Sequence, residues 1–329
     1  MRIIILLLLP MFLTYSCQNN PQVNESSKPQ GAYFGEVADT TAQIFADGLI
    51  SKSYQELNSV FSPDGNEFYY TVADPGRNFY VIMVYKKDEN DEWQGPDVAS
   101  FSGKYPDADP YITSDNKKLY FISRRPIDNT GTDTKDFDIW MVNRTENGWS
   151  EAIRLDTTIN TSANEFYVSA TDDGSIYYSA QYEGGLGYGD IYEAKPKNGS
   201  YEVTNLGEAV NSPSGEGDPY VSPDGNTLIF MSWGRADDMG RGDLYISYKK
   251  EGIWQKAQNM GPEINSSSFE YCPMMSPDGK YFFWTSYHSS PLVNPEGYTY
   301  ESYIDRLEGS DNGLGNVYWI DAKVLEKFR

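Results

Sequence analysis

Five carboxylates recur at one repeating place in this 329-residue chain: Glu56, Asp107, Glu165, Glu216 and Glu270. Each stands eight positions before a turn-type aspartate (Asp64, Asp115, Asp173, Asp224, Asp278) and six after an apolar residue (Ile50, Phe101, Ile159, Val210, Ile264). Gathered in space, such acids could do one of three things. Crowded like charges repel one another and would take up a Ca²⁺ through their oxygens. Two of them at a fixed separation could serve as acid and as base or nucleophile on a sugar. Or each could accept hydrogen bonds from the backbone of a neighbouring repeat, since a residue present in every copy more often serves the repeat than one substrate. Nothing in the sequence singles out two of the five.

The elements that must position them follow from the spacing. Successive turn aspartates are 51, 58, 51 and 54 residues apart, which is a repeat architecture. Each copy reads as four short strands. In the fourth copy, residues 218–222 make the first strand, 227–232 the second, 243–249 the third and 254–260 the last. Between the first two lies Ser222, Pro223, Asp224, Gly225, where Pro pre-sets φ, Asp bonds back to the backbone and Gly supplies φ > 0. The second copy has Asn116 at the glycine position, and Asn also tolerates the left-handed region. Third strands open on Asp138-Ile-Trp, Asp190-Ile-Tyr, Asp243-Leu-Tyr and Asn316-Val-Tyr, while the first copy has Tyr80. Fourth strands carry Trp93, Trp149 and Trp254, suited to packing between sheets.

On Ser222-Pro-Asp-Gly, Gly189-Asp190-Ile-Tyr and the Ile264-Asn265-Ser segment, the repeats resemble those of TolB-like, WD40-like β-propeller proteins, over residues 44–322. The resemblance implies a radial array of four-stranded blades. Five visible copies imply five blades, six being the alternative. The fold expected is thus all-β, with residues 46–50 pairing with the last third strand to close the ring and remove an exposed edge. That topology gathers the five acids around one mouth of the central channel, beside loops carrying Arg124, Arg125, Trp233, Arg235, Tyr287 and His288. The Asp-Gly turns fall on the other face. A long connection, 289–315, reads as a functional or mobile loop. Members of the family serve as envelope binding platforms or as domains attached to hydrolases, so the resemblance implies little chemistry.

Arg2 and the apolar run 3–13 form an export signal, and Ser16-Cys17 resembles the lipobox of bacterial lipoproteins, although Thr14 stands where Leu is usual. Residues 1–16 are read as signal peptide, 17–43 as tether, 44–322 as propeller and 323–329 as tail, with Cys17 lipidated in the outer membrane. A net charge of −22 makes nucleic acid a poor partner. One histidine excludes a multi-histidine zinc site. Cys272, in an inner strand, reads as a small buried hydrophobe. The expectation is a monomeric, non-catalytic binding or scaffold module that takes an envelope protein or glycan at the channel mouth. It needs no cofactor, Ca²⁺ at the mouth being the one candidate. The alternative is a carbohydrate-active enzyme, a glycoside hydrolase or lyase, using inner-strand carboxylates.

Overall fold

The computed structural model describes residues 28–127, 136–289 and 294–329. The signal segment and Cys17 lie outside the described residues. Five antiparallel sheets stand around one axis, their inner strands being Gln55–Phe61, Asp107–Ile112, Glu165–Ala170, Gly215–Val221 and Glu270–Met275. The protein is a five-bladed β-propeller, and the six-blade alternative falls away. Blade 1 runs outward as Gln55–Phe61, Glu67–Ala73, Tyr80–Lys87 and Trp93–Val98. In blade 4 the strands are Gly215–Val221, Thr227–Trp233 and Asp243–Lys250, and the outermost strand is broken into Ile253–Trp254 and Gln258–Asn259.

Turn chemistry and strand locks explain why these residues form these elements. Ser222 Oγ donates to Asp224 Oδ1, which also accepts from Asn226 N at 3.1 Å, and Gly225 has φ 70°. Asn116 takes φ 58° in the second copy. The asparagine after the buried apolar residue clamps the third strand of the preceding blade. Asn211 accepts from Ile191 N at 2.8 Å and donates to Ile191 O at 3.0 Å, and Asn160 and Asn265 do the same to Ile139 and Leu244. Buried backbone groups must find partners, so this side chain secures three blades to the next linker, and Ser51 and Ser102 accept from Val317 N and Ile82 N at the equivalent place in the other two.

Closure occurs with a shifted register. Gln43–Ile44 pairs with Asn316–Asp321, Gln43 opposite Trp319 and Ile44 opposite Tyr318. Residues 46–50, expected as that strand, instead make a turn that starts at Ala46 with φ 46° and buries Ile50. The segment before it belongs to the packed body and not to the tether. Phe34 is buried and stacks on Trp93 at 4.4 Å, and Tyr33 donates to Asp278 at 2.7 Å. Trp254 meets Tyr177 of the preceding blade edge-on, and Trp149 Nε1 donates to Tyr69 of its preceding blade at 2.8 Å, so these two fourth-strand tryptophans pack between sheets, whereas Trp93 packs on the N-terminal arm and on its own blade. The region 289–315 contains a helix, α1 (Tyr300–Glu308), begun by a Thr299/Ser302 capping box. The tail is ordered as well: Ala322–Phe328 is a 3₁₀ segment with Leu325 buried over the Asp-Gly face.

Candidate functional site at the channel mouth

The five repeat acids stand at the starts of the inner strands and are all buried. Their side chains grip the linker that leads into their own strand. Glu216 accepts from Ser212 N at 2.8 Å and Ser212 Oγ at 2.6 Å, Glu270 likewise from Ser266, and Glu165 from Thr161 N and Oγ1. Glu56 accepts from Lys52 N and from Asn316. Asp107, one methylene shorter, takes Arg125 at 2.7 Å. The neighbouring blade meets instead the acids' backbone N–H groups: Glu216 N donates to Gly189 O and Glu270 N to Gly242 O. Of the five, only Glu216 touches the mouth cavity.

Arg125 and Arg235 belong to the same machinery. Arg125 is buried against Asp107 and over the Phe121 and Trp140 rings, and Arg235 binds Glu216 at 2.8 Å over Tyr245. Arg124 lies over Phe137 at the rim. Trp233 lines the cavity, and Tyr287 bonds to Tyr271 and receives a hydrogen bond from Arg77. His288 pairs with Asp311 in a separate crevice, away from the mouth.

Burial pushes the Glu56 carboxyl up to about 7 and Glu165 up to about 8, and raises Glu270 and Asp107 as well. An unfolded glutamate titrates near ~4.3, so over this interval the folded state holds more protons than the unfolded one. Stability contributed by these groups is therefore present at low pH and lost as pH rises through the folded values. Chemical denaturation is expected to show stability falling between about pH 5 and about pH 8, with a shallower fall in Glu165→Gln. A flat or rising profile would contradict the burial argument. The turn aspartates act oppositely: Asp278, held down to about 2 largely by Tyr33 and Ser276, loses its contribution only in strong acid.

A second ring lines the channel two residues after each acid: Asn58, Asp109, Tyr167, Asp218 and Cys272. All five have left-handed backbones, φ 43–54°, and each sits at a break in the ladder between first and second strands. A bulge re-aims a side chain, and here it turns these residues toward the axis. Left-handed backbone at Tyr167 and Cys272 is costly for such side chains and persists only where the surroundings over-determine it. Unlike the acids, the position changes identity from blade to blade. Tyr167 crosses from blade 3 to donate to Pro273 O of blade 5 at 2.7 Å, so it divides the channel. On the Asp-Gly side lies a cavity with Val60, Tyr111, Met274 and Leu325; on the mouth side lies one of about 190 Å³.

Asp109 and Asp218 face the mouth cavity with Gln181, Trp233, Phe166 and Tyr271. Asp109 is 8% exposed and its Oδ1 has no partner among the described residues. Asp218 Oδ2 accepts from Cys272 N at 3.1 Å and from its thiol. Burial raises both carboxyls above the usual range, the Asp218 charge pushes Asp109 further, and Arg77 pulls both partly back. Cys272 is a buried thiol, held protonated by burial and by these acids. Among the described residues no three His, Cys, Asp or Glu side chains are grouped to hold a metal ion, so the Ca²⁺ reading lacks a donor set there.

These site residues were readable only as a hint. Asp109-Pro, Asp218-Pro and Cys272-Pro put proline inside three inner strands, and proline cannot donate to a ladder, so it marks a bulge. Arg77, which reaches the mouth from the loop between the second and third strands of blade 1, gave no signal.

No family model matches the chain, and no curated protein matches it. Solved structures do. One from a glycoside hydrolase aligns with TM-score 0.51 at 11% identity, over 90% of this chain and 91% of that one. A protein assigned as TolB from Agrobacterium tumefaciens aligns with TM-score 0.47 at 16% identity, over 82% and 90%. A protein of unknown function from Dyadobacter fermentans aligns with TM-score 0.45 at 11% identity, over 85% and 98%. At such identities the likeness concerns the fold alone, and no helix among the described residues is long and apolar enough to cross a membrane. Repeat signature and sheet topology converge on one assignment: the chain is a five-bladed β-propeller.

Proposed function

We propose that this protein is a ligand-binding propeller of the bacterial cell envelope, with its ligand seated in the mouth cavity between Asp109, Asp218 and Trp233. One observation carries the reading. The acids common to all blades are taken up by their own linkers or, at Asp107, by Arg125, whereas the bulge position, strained in every blade and of four residue types among the five, presents Asp109, Asp218 and Cys272 to the open cavity. Strain retained at a site of variable chemistry is what ligand recognition on a repeat scaffold requires. Lipidation of Cys17 would fit this geometry. Pro29 O accepts from Trp93 N, and Tyr33 reaches Asp278, so the chain enters on the Asp-Gly face. An anchored propeller would then hold its mouth away from the membrane.

The test is a thermal-shift screen against small metabolites, together with a glycan array, on native protein and on Asp109→Asn, Asp218→Asn and the five acid-to-amide variants. Ligands are expected that raise the native melting temperature and lose their effect in Asp109→Asn and Asp218→Asn. The five acid variants lower stability without abolishing binding. Ligands held equally by every variant would move the site elsewhere. A glycan cleaved by the native protein and spared by two variants would replace the binding module with a carbohydrate-active enzyme. Retention of Cys17→Ala in the membrane fraction would refute the anchor.

A further inference from the structure

We propose that the mouth is a receptor site for a small amine, a ligand that carries a protonated ammonium on a ring or short carbon frame, received between the Asp109 and Asp218 carboxyls. This rests on the ligand-binding reading above and names the ligand class.

Most buried acids of the propeller have partners. Asp107 has Arg125, Asp138 has Arg154, Glu216 has Arg235, and Glu193 has Lys249. Glu56, Glu165 and Glu270 are met by amide or hydroxyl groups of the repeat. Asp109 and Asp218 differ in where they lie: neither has an ion-pair partner among the described residues, Asp109 Oδ1 accepts nothing, Asp218 is met only by the Cys272 amide and thiol, and both open on the cavity, which the orphaned acid oxygens Asp107 Oδ2 and Glu165 Oε2 do not. Uncompensated buried carboxyls are expensive. The nearest cation, Arg77, is engaged elsewhere, donating to the Tyr287 hydroxyl with its guanidinium 5.8 Å from the Tyr271 and Tyr287 ring centres.

An ammonium supplies what is missing. It offers three donors and makes charge-assisted bonds to both carboxyls. The cavity walls at Trp233, Phe166, Phe137 and Tyr271 give π faces for the cation and apolar contact for its frame. An anion would meet two acids on a chain of net charge −22. A neutral ligand would leave the charge uncompensated, and a metal ion would lack a third carboxylate, thiolate or imidazole.

The pair also predicts a proton count. Of the groups facing it, Cys272, Tyr167, Tyr271 and Tyr287 are all shifted upward, Glu216 is ion-paired to Arg235, and Arg77 stays charged. The carboxyl pair, with Asp218 raised to about 6 by burial and Asp109 raised above the usual carboxylate range by burial and by the Asp218 charge, is thus the group at the site that exchanges a proton. An arriving ammonium displaces the proton held by the pair, which leaves to solvent.

Isothermal titration of the full chain with three matched pairs tests this: benzylamine and benzyl alcohol, glucosamine and glucose, cadaverine and 1,5-pentanediol. Within each pair only the amine becomes hydroxyl. At least one amine is expected to bind roughly tenfold or more tightly than its alcohol, to bind more tightly as pH rises from about 5 to about 7.5, and to release protons in buffers of differing ionisation enthalpy. Asp109→Asn should weaken it about tenfold or more. Arg77→Gln, in an exposed loop, should tighten it by removing a competing charge. The proton release needs no variant and stands if Asp109→Asn fails to fold. Alcohols binding as well as amines, or amine binding without proton release, would overturn the proposal. If a neutral compound binds and Asp109→Asn abolishes it, the ligand class is wrong and the mouth remains a binding site. If no compound of either kind binds, both readings fall.

Discussion

Removing residues 28–45 will unfold the propeller at ordinary temperatures, whereas removing residues 18–27 will leave the melting temperature unchanged. The 28–45 arm bridges the first and last blades. Phe34 packs among Phe68, Tyr85 and Trp93 of blade 1 at ring distances of 5.5, 5.2 and 4.4 Å. Phe45, fully buried, meets Phe283 and Trp319 of blade 5 at 5.2 and 5.0 Å. Truncating one buried Phe costs about 3–5 kcal/mol. Losing two, together with the Gln43–Ile44 pairing that closes blade 5, therefore rivals a whole domain's stability of about 5–15 kcal/mol. Tyr33 and Phe34 also sit at φ 51° and 57°, a strain that only this packing maintains. Thermal melts of the two deletions decide the matter: equal melting temperatures would show that the ring closes without the arm.

Arg125→Met should cost about 3–5 kcal/mol, because it leaves Asp107 buried without its cation. Asp107 is 0% and Arg125 5% exposed, and the guanidinium also holds Phe101 O at 2.8 Å and Ser123 Oγ at 2.9 Å. The Asp107 carboxyl, already raised by burial, loses the charge that pulled it down and rises further. A raised folded-state value contributes stability at low pH and loses it as pH climbs, so the variant should lose more near about pH 8 than near about pH 5. Asp107→Asn combined with Arg125→Met should recover part of the loss. Urea melts at both pH values read the effect, and a cost within about 1 kcal/mol of native would mean that Asp107 is satisfied without Arg125. The exposed pair of His288 and Asp311 gives the contrast: His288→Ala should change stability by no more than about 0.5 kcal/mol.

Much of the fold was legible because the repeat is written in local chemistry. Ser-Pro-Asp-Gly makes its turn whatever surrounds it, alternation sets the strands, and five copies in register leave one way to bury five sheets. The sequence alone determined the blade number, the four-strand plan, the closure of the ring by the N-terminal strand and the face on which Glu56, Asp107, Glu165, Glu216 and Glu270 begin. It did not determine where those side chains point. An acid recurring every fifty-odd residues looks the same whether it faces a channel or its own linker, and only the backbone turn at residues such as Ser212 and Ser266 decides for the linker. Tertiary structure likewise decided that the arm carrying Tyr33 and Phe34 is part of the core. Its partners, Trp93, Asp278 and Phe283, are distant in the chain, and no local pattern announces them. The mouth is the sharpest case. Asp109 and Asp218 lie 109 residues apart in different blades, and they share a cavity because a bulge repeated in each inner strand turns one residue per blade toward the axis. The bulge itself belongs to each blade, but the convergence of the bulged residues on one cavity is a property of five assembled blades that no single repeat contains.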